Sequence, residues 1–288
     1  MFAILYITHN SLMQLHTIET GYFKLDGGAM FGVVPKMLWN RLNPADDNNL
    51  CTWAMRCLLL EYDNRIIVVD TGIGNKQSDK FFAHYDLHGD DSLEKSLQAK
   101  GVRMQDVTDV ILTHLHFDHV GGAVSWNADK TGYIPTFKNA TYWTNEKHYL
   151  SAIQPNNREK ASFLKENILP LQAAEQLQFL EKSNFGTAME FITVNGHTES
   201  MSLPLITYQG NTYLFAADLL PSSYHIPLPY IMGYDMQPLV TLSEKEQVLQ
   251  QAVQNNWIIV YQHDPHTVAS NLIQTEKGIQ VGERMNFI

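Results

Sequence analysis

The segment THLHFDHVGG (residues 113–122) carries four side chains of metal-ligand type within six positions, directly after an apolar run. These side chains are His114, His116, Asp118 and His119. An unbroken apolar run is typical of a strand that is covered on both faces. Several imidazoles buried together would each need a polar partner, and one bound metal ion serves them all. The segment therefore predicts a metal site at the end of a buried strand.

Further residues of the same type follow other predicted strands, at Asp70, His197, Asp218 and His263. If these strands run in the same direction, their ends meet at one edge of the fold, where loops on rigid strands commonly build binding sites. Imidazole and carboxylate groups suit zinc and its first-row neighbours. We therefore expect these side chains to converge on a metal site.

The ligand set is large enough for two metal ions. The three-histidine set His114, His116 and His197 leaves one position open, as a catalytic metal needs. The second set is Asp118, His119 and His263, with Asp218 as the bridge. Two cations about 3.5–4 Å apart share a water and lower its pKa to roughly 7. We expect zinc, although manganese, iron and cobalt accept the same ligands.

Three neighbouring residues have supporting roles in this hypothesis. Asp70, in VVDTGIG, could be a ligand, a helix cap or an acceptor that fixes the tautomer of a metal-binding histidine, and we favour the acceptor. Gly121 and Gly122 are expected to let the backbone approach the metals and the substrate.

Each half of the chain repeats a pattern of strands followed by a helix. In the first half, 56–72 is typical of a hairpin and 91–101 of a helix. In the second half, 202–218 is a predicted hairpin, 241–256 an amphipathic helix and 257–264 a buried strand. Two such halves favour an α/β (α+β) fold in which two sheets pack face to face with helices outside, a four-layer αββα sandwich.

One domain is expected to span residues 1–288. Within it, residues 140–185 are predicted to form a helical insertion rather than strands. Residues 1–12 are apolar at their start but lack the basic region and cleavage site of a signal peptide, so we expect a poorly ordered extension.

The composition limits the class of partner. The net charge of −10 repels phosphate backbones, so a nucleic-acid substrate is disfavoured. Apolar stretches are too short to span a bilayer. We therefore expect a cytoplasmic protein that acts on a small-molecule substrate, with neither nucleic acid nor membrane as a partner. Cys51 and Cys57 are interpreted as reduced core residues.

The motif HLHFDH, followed by a distant His, Asp and His, resembles the metallo-β-lactamase fold superfamily over essentially the whole chain. Four longer segments are similar to the bacterial quorum-quenching lactonases and their organophosphate-hydrolase relatives. These segments are 26–39, 69–74, 216–235 and 261–264. The resemblance implies the metallo-β-lactamase fold and a dinuclear hydrolase with the two ligand sets given above.

Two segments depart from that family pattern. Pro221 occupies the position where the best-known lactonases of the group carry a tyrosine, three residues after the bridging aspartate. Tyr224, or His225 beside it, is expected to supply the missing hydrogen-bond donor to the oxyanion. In GHTESMS, Glu199 and Ser200 replace the usual turn residues.

The resulting functional hypothesis is a hydrolase that attacks an ester-type bond with a metal-bridging hydroxide. The leading expectation is a lactonase acting on an acyl-homoserine lactone-like substrate, with Asp118 orienting the nucleophile and passing a proton to the leaving oxygen. The alternatives are hydrolysis of an organophosphate triester or an aryl ester at the same site. A different class of protein, a catalytically silent metal-binding protein, is the remaining alternative.

Two further interpretations concern surfaces. The apolar segment GGAMFGVVPKMLW (27–39) forms either the wall of an acyl-chain pocket or a dimer contact. Because twofold homo-oligomers are the commonest, a homodimer is expected. His148 is interpreted as an ordinary surface residue.

Overall fold

Two six-stranded sheets lie at the centre of a computed structural model that describes residues 13–286. The predicted extension at 1–12 lies outside the described residues. The elements of the first half, in chain order, are β1 (Gln14–Asp26), α1 (Gly27–Phe31), α2 (Lys36–Trp39), β2 (Leu50–Tyr62), β3 (Arg65–Val69), α3 (Asp79–Phe82), α4 (Leu93–Ala99), β4 (Asp109–Ile111), α5 (Phe117–Val120), β5 (Val124–Trp126), β6 (Tyr133–Pro135), β7 (Thr141–Thr144), α6 (Glu146–Ile153), α7 (Lys165–Ala173) and β8 (Leu177–Phe179).

The second half forms the other large sheet and a single long helix. Its elements are β9 (Met189–Val194), β10 (Met201–Tyr208), β11 (Asn211–Phe215), α8 (Pro238–Gln254), β12 (Ile258–Val260), β13 (Ala269–Thr275) and β14 (Gly278–Met285). The spatial order is β1-β2-β3-β4-β7-β8 in the first sheet and β14-β13-β12-β11-β10-β9 in the second, while β5 and β6 form a separate ribbon.

Strand β2 shows how the layers are built, since it is buried on both faces. Leu58 and Leu60 belong to the core between the two sheets, whereas Cys57 and Leu59 belong to the core under α4, α6 and α7. Successive side chains of a strand point to opposite faces, so an unbroken apolar run serves both cores. Helix α8 packs on the second sheet. The predicted αββα sandwich is confirmed.

The prediction of a helical insertion over 140–185 is wrong at both ends of that segment. Helices α6 and α7 do lie within it, but β7 pairs in parallel with β4, and β8 pairs in parallel with β7. Thr141, Tyr142 and Trp143 are β-branched or aromatic, the types that favour a strand. The segment therefore widens the first sheet instead of lying outside it.

The strand directions bring the predicted ligands to one edge. Strands β3 and β4 are parallel and end in register at Val69 and Ile111, and β11 and β12 are parallel and end at Phe215 and Val260. Ligand-type residues follow all four ends in the chain. Among the helices of residues 13–286, none is long and apolar enough to cross a membrane.

Candidate metal centre

Three histidines and an aspartate form a first ligand cluster. Its members are His114, His116, His197 and Asp218, and one ligand atom from each lies within 4.8 Å of the others. His197 Nε2 lies 3.2 Å from His116 Nδ1 and 3.1 Å from Asp218 Oδ2. His114 Nε2 lies 3.9 Å from the same carboxylate oxygen. All four residues are buried, as the sequence pattern predicted for the first site.

A second ligand cluster lies beside it and consists of Asp118, His119 and His263. The Nε2 atoms of His119 and His263 are 3.3 Å apart. Asp118 Oδ2 lies 3.5 Å from His119 Nε2 and 3.7 Å from His263 Nε2. The three side chains thus direct their ligand atoms to one point, and they are the three predicted for the second site.

Asp218 lies between the two clusters and presents one carboxylate oxygen to each. Oδ2 faces His197, while Oδ1 lies 3.0 Å from His263 Nε2 and 3.5 Å from His119 Nε2. Burial alone would raise the pKa of Asp218, but His119, His263 and His197 hold it well below its usual range. The residue is therefore a carboxylate with the geometry of a bridging ligand.

The ligand atoms of the two clusters are suited to bind metal ions. His114 Nε2 is buried and has no hydrogen-bond partner within residues 13–286, and burial lowers the pKa of this imidazole well below its usual value. A neutral imidazole nitrogen with no donor to accept from is a ready metal ligand. The facing nitrogens of His116 and His197 lie 3.2 Å apart, and those of His119 and His263 lie 3.3 Å apart, so one cation would serve both nitrogens of each pair. Two divalent ions would satisfy all of these atoms.

Carboxylates fix the orientation of three ligand rings. Asp70 Oδ2 accepts from His119 Nδ1 at 3.1 Å, which is the role favoured for Asp70 from the sequence. Asp235 Oδ1 accepts from His197 Nδ1 at 2.8 Å, and Glu159 Oε1 accepts from His116 Nε2 at 3.1 Å. Such acceptors fix the tautomer and increase the basicity of the metal-binding nitrogen. Asp235 and Glu159 were not among the predicted residues.

The remaining two rings are held by other acceptors. His263 Nδ1 donates to Ala54 O at 2.7 Å. The Thr113 hydroxyl donates to Asp70 Oδ2 at 2.8 Å, so its oxygen is left to accept from His114 Nδ1 at 3.1 Å. Every ligand histidine therefore has one ring nitrogen that faces a cluster and another that is hydrogen-bonded to a protein oxygen.

His148 is buried, and its interpretation as a surface residue is wrong. Its Nε2 accepts from Leu115 N at 2.8 Å, and its Nδ1 donates to Glu199 O at 2.6 Å. Burial lowers the pKa of His148 to about 4, so the ring is neutral and bridges these two backbone groups. It ties the segment between two ligands to the turn that departs from the family pattern.

The glycines after the histidine motif serve packing rather than access to the site. A Cβ on Gly121 would lie 2.1 Å from Ile73 O, and one on Gly122 would lie 2.2 Å from Thr71 O. The two glycines thus let the backbone approach the loop after β3, and not the metals and substrate as expected. This contact holds Asp70 against the ligand turn, where Thr71 N also donates to His119 O.

A cavity of about 400 Å³ opens over the two clusters. At its base lie His116, Asp118, His197, Asp218 and His263. The apolar part of its wall includes Leu25, Met30, Phe117 and Met232, and its polar part includes Tyr85, Arg158, Glu159 and Tyr234. The cavity therefore gives a small molecule access to both clusters and offers it apolar surface and phenol groups.

Tyr224 and His225 do not line this cavity, contrary to the expectation that one of them supports an oxyanion. His225 is buried and stacks on Phe31 with 4.9 Å between ring centroids. Its Nδ1 lies 2.7 Å from Ser222 Oγ and its Nε2 lies 2.9 Å from Met30 O, so both nitrogens are occupied. Tyr224 packs against the apolar cluster around Phe31. Both residues support the wall of the cavity from behind.

Solved structures of similar shape are known. A probable metal-dependent hydrolase from Staphylococcus aureus is 25% identical, with a TM-score of 0.86, 96% of this chain covered and 97% of that chain. AidC, a dizinc quorum-quenching lactonase, is 19% identical, with a TM-score of 0.76 and coverage of 96% and 95%. AbOPH, a hydrolase in the beta lactamase superfamily, is 18% identical, with the same TM-score and coverage.

A search of curated proteins finds no match to this chain. Residues 56–263, more than half of the chain, match the family model of the metallo-beta-lactamase superfamily. The matched region begins in β2 and ends at His263, so it contains both ligand clusters. The chain belongs to the metallo-beta-lactamase superfamily.

Proposed function

We propose that this chain is a dinuclear metal-dependent hydrolase that cleaves an ester-type bond in a small molecule, with a lactone as the leading substrate. The observation that carries the proposal is the position of Asp218, whose two oxygens face separate ligand clusters beneath an open cavity. When bound, two divalent ions, with zinc expected, supply Lewis acidity and lower the pKa of water to roughly 7.

The proton transfers of this reaction fall to Asp118. Its carboxylate is part of the second ligand cluster, and it also lines the cavity, so one side chain is within reach of both ligands and substrate. We propose that Asp118 orients the attacking water, accepts its proton and returns that proton to the leaving oxygen. Because Asp118 protonates the leaving oxygen, the product leaves as an alcohol rather than as an alkoxide.

The oxyanion is proposed to receive hydrogen bonds from the cavity phenols. Tyr85 and Tyr234 line the cavity, whereas Tyr224 does not. Burial raises the pKa of Tyr85 to about 12, so its hydroxyl keeps its proton at neutral pH and can donate to developing negative charge. These two residues therefore take the role expected of Tyr224 or His225.

The apolar wall supports a lactone with an acyl chain. Met30, Phe117 and Met232 present apolar surface to the cavity, as an acyl chain requires. AidC, a dizinc quorum-quenching lactonase, has a similar fold at 19% identity. Because that identity is low, the lactone preference rests on the cavity and on the loops that resemble those of the lactonases.

Different residues of the segment 27–39 are suited to its two predicted roles, the pocket wall and the dimer contact. Met30 lies in the cavity wall, while Val33 and Met37 are 91% and 71% exposed. We propose that the exposed residues form a homodimer contact, since exposed apolar patches commonly mark association surfaces. Light scattering of the wild type and of Val33→Asp tests this: a dimer that dissociates supports it, and a wild-type monomer contradicts it.

A substrate panel tests the proposed activity. Metal-quantified protein is offered acyl-homoserine lactones, simple lactones, aryl esters and an organophosphate triester, with Asp118→Asn as the paired variant. Lactone turnover that Asp118→Asn loses by about 10²–10⁴-fold supports the proposal. Turnover of triester or aryl ester alone would reject the lactone preference. Bound metal without any turnover would favour the catalytically silent metal-binding protein.

A further inference from the structure

The cavity over the ligand clusters contains a positive side chain with no part in the reaction proposed above. Among its described lining residues, Arg158 is the only lysine or arginine. It lies in the loop between α6 and α7, directly before Glu159, which binds the ligand ring of His116. The loop that orients a ligand therefore also fixes the backbone of Arg158 beside the cavity.

The Arg158 guanidinium is held at one nitrogen and has spare donors at the others. Its Nη2 donates to Gly233 O, which belongs to the opposite loop of the cavity. A guanidinium has five N–H donors. No carboxylate of residues 13–286 lies within 4.0 Å of it, whereas Arg56, Arg65 and Arg103 each bind one. Arg158 is thus an exposed side chain that this bond orients and that no described carboxylate neutralises.

An oriented guanidinium with spare donors is suited to bind a carboxylate, because its planar fork matches both carboxylate oxygens. The surrounding wall is apolar at Met30, Phe117 and Met232. We propose that Arg158 is a specificity-determining residue, which selects esters or lactones that carry a carboxylate at a distance from the bond being cleaved. This inference rests on the proposed hydrolase function and names the substrate class of that site.

A purely structural role for Arg158 predicts a different pattern. If the side chain serves only to connect its loop to Gly233, its loss should disturb neutral and anionic substrates alike. If it binds a carboxylate, its loss should affect the anionic substrate selectively. Lys160 provides a matched control, since it lies in the same loop and is exposed like Arg158, but does not line the cavity.

The test compares mono(4-nitrophenyl) glutarate with its methyl ester, which differs by one negative charge. The metal-loaded variants are Arg158→Gln, Arg158→Lys and Lys160→Gln. We expect Arg158→Gln to lose about 3- to 10-fold in kcat/KM for the anionic ester, mainly through KM, because a hydrogen-bonded but solvent-screened charge pair is lost. The neutral ester should change little. Arg158→Lys should recover part of the loss, and Lys160→Gln should match the wild type.

A binding measurement separates this inference from the proposed activity. Calorimetry records the binding of two unreactive anilides, glutaric acid monoanilide and pentananilide, to the metal-loaded wild type and Arg158→Gln. If the wild type cleaves both esters but Arg158→Gln alters both equally, or neither, the inference is overturned and the hydrolase function stands. If neither ester is cleaved but anilide binding depends on Arg158 and on the carboxylate, aryl-ester hydrolysis is rejected and the anion site stands.

Discussion

Glu159 Oε1 lies 3.1 Å from His116 Nε2, and Nδ1 of the same ring lies 3.2 Å from His197 Nε2. One imidazole therefore connects a loop carboxylate with the first ligand cluster. Because a carboxylate acceptor fixes the tautomer of a ligand ring and increases its basicity, Glu159 is expected to contribute to metal affinity without contacting the metal.

Glu159→Gln is predicted to weaken metal binding at the first ligand cluster by about 10- to 100-fold, as the loss of such an acceptor typically does. Competition with a chromophoric chelator measures the affinity directly and does not depend on turnover. Glu276→Gln, which changes an exposed glutamate in the turn between β13 and β14, is the control. Equal affinities for Glu159→Gln and the wild type would contradict the positioning role.

The phenols of the cavity give a second prediction. Tyr85→Phe should lower kcat by about 10-fold, since it removes one donor to the oxyanion, worth roughly 1–2 kcal/mol. Tyr224→Phe should leave kcat close to the wild-type value, because Tyr224 lies outside the cavity lining. Steady-state kinetics of both variants on the same substrate measure this difference in kcat. A loss of kcat in Tyr224→Phe but not in Tyr85→Phe would contradict the prediction and favour the role that the sequence analysis gave to Tyr224.

The sequence predicted the ligands because each one follows the end of a strand. His114, His197 and His263 come within three residues of β4, β9 and β12, so the strand directions alone bring them together. Asp70 could be assigned an acceptor role for the same reason. The apolar pattern of a strand can be recognised from neighbouring residues alone. Because β3 pairs in parallel with β4, and β11 with β12, the residues that follow these strands lie at the same edge of the fold.

The supporting residues could not be found in this way. Glu159 and Asp235 lie in irregular loops, where no periodicity reports which side chain turns inward. His148 looks like a surface residue because it lies on a short amphipathic helix, yet its burial depends on the turn near Glu199. Strand β7 was missed because its four residues gain their partners only from β4 and β8.

Lys245 provides a prediction about stability. It is fully buried in α8 and donates to Pro227 O and Tyr230 O, each at 2.8 Å. Those carbonyls belong to the loop that leads to Met232 in the cavity wall. Pro227 O also accepts from Tyr230 N, so Lys245→Met should leave the Tyr230 carbonyl unsatisfied and lower the free energy of unfolding by about 1–3 kcal/mol. Chemical denaturation measures the loss, and Gln247→Met, an exposed change on the same helix, should be nearly neutral. An unchanged stability would refute the anchoring role.

The most direct measurement of the central claim is the metal content of the purified and reconstituted chain, by elemental analysis, for the wild type and Asp218→Asn. We predict two divalent ions per wild-type chain, because the two ligand clusters are complete and Asp218 presents an oxygen to each. The variant should bind fewer, since the shared carboxylate is lost. A wild type that binds no metal under any loading condition, or a variant that still binds two with unchanged affinity, would contradict the account.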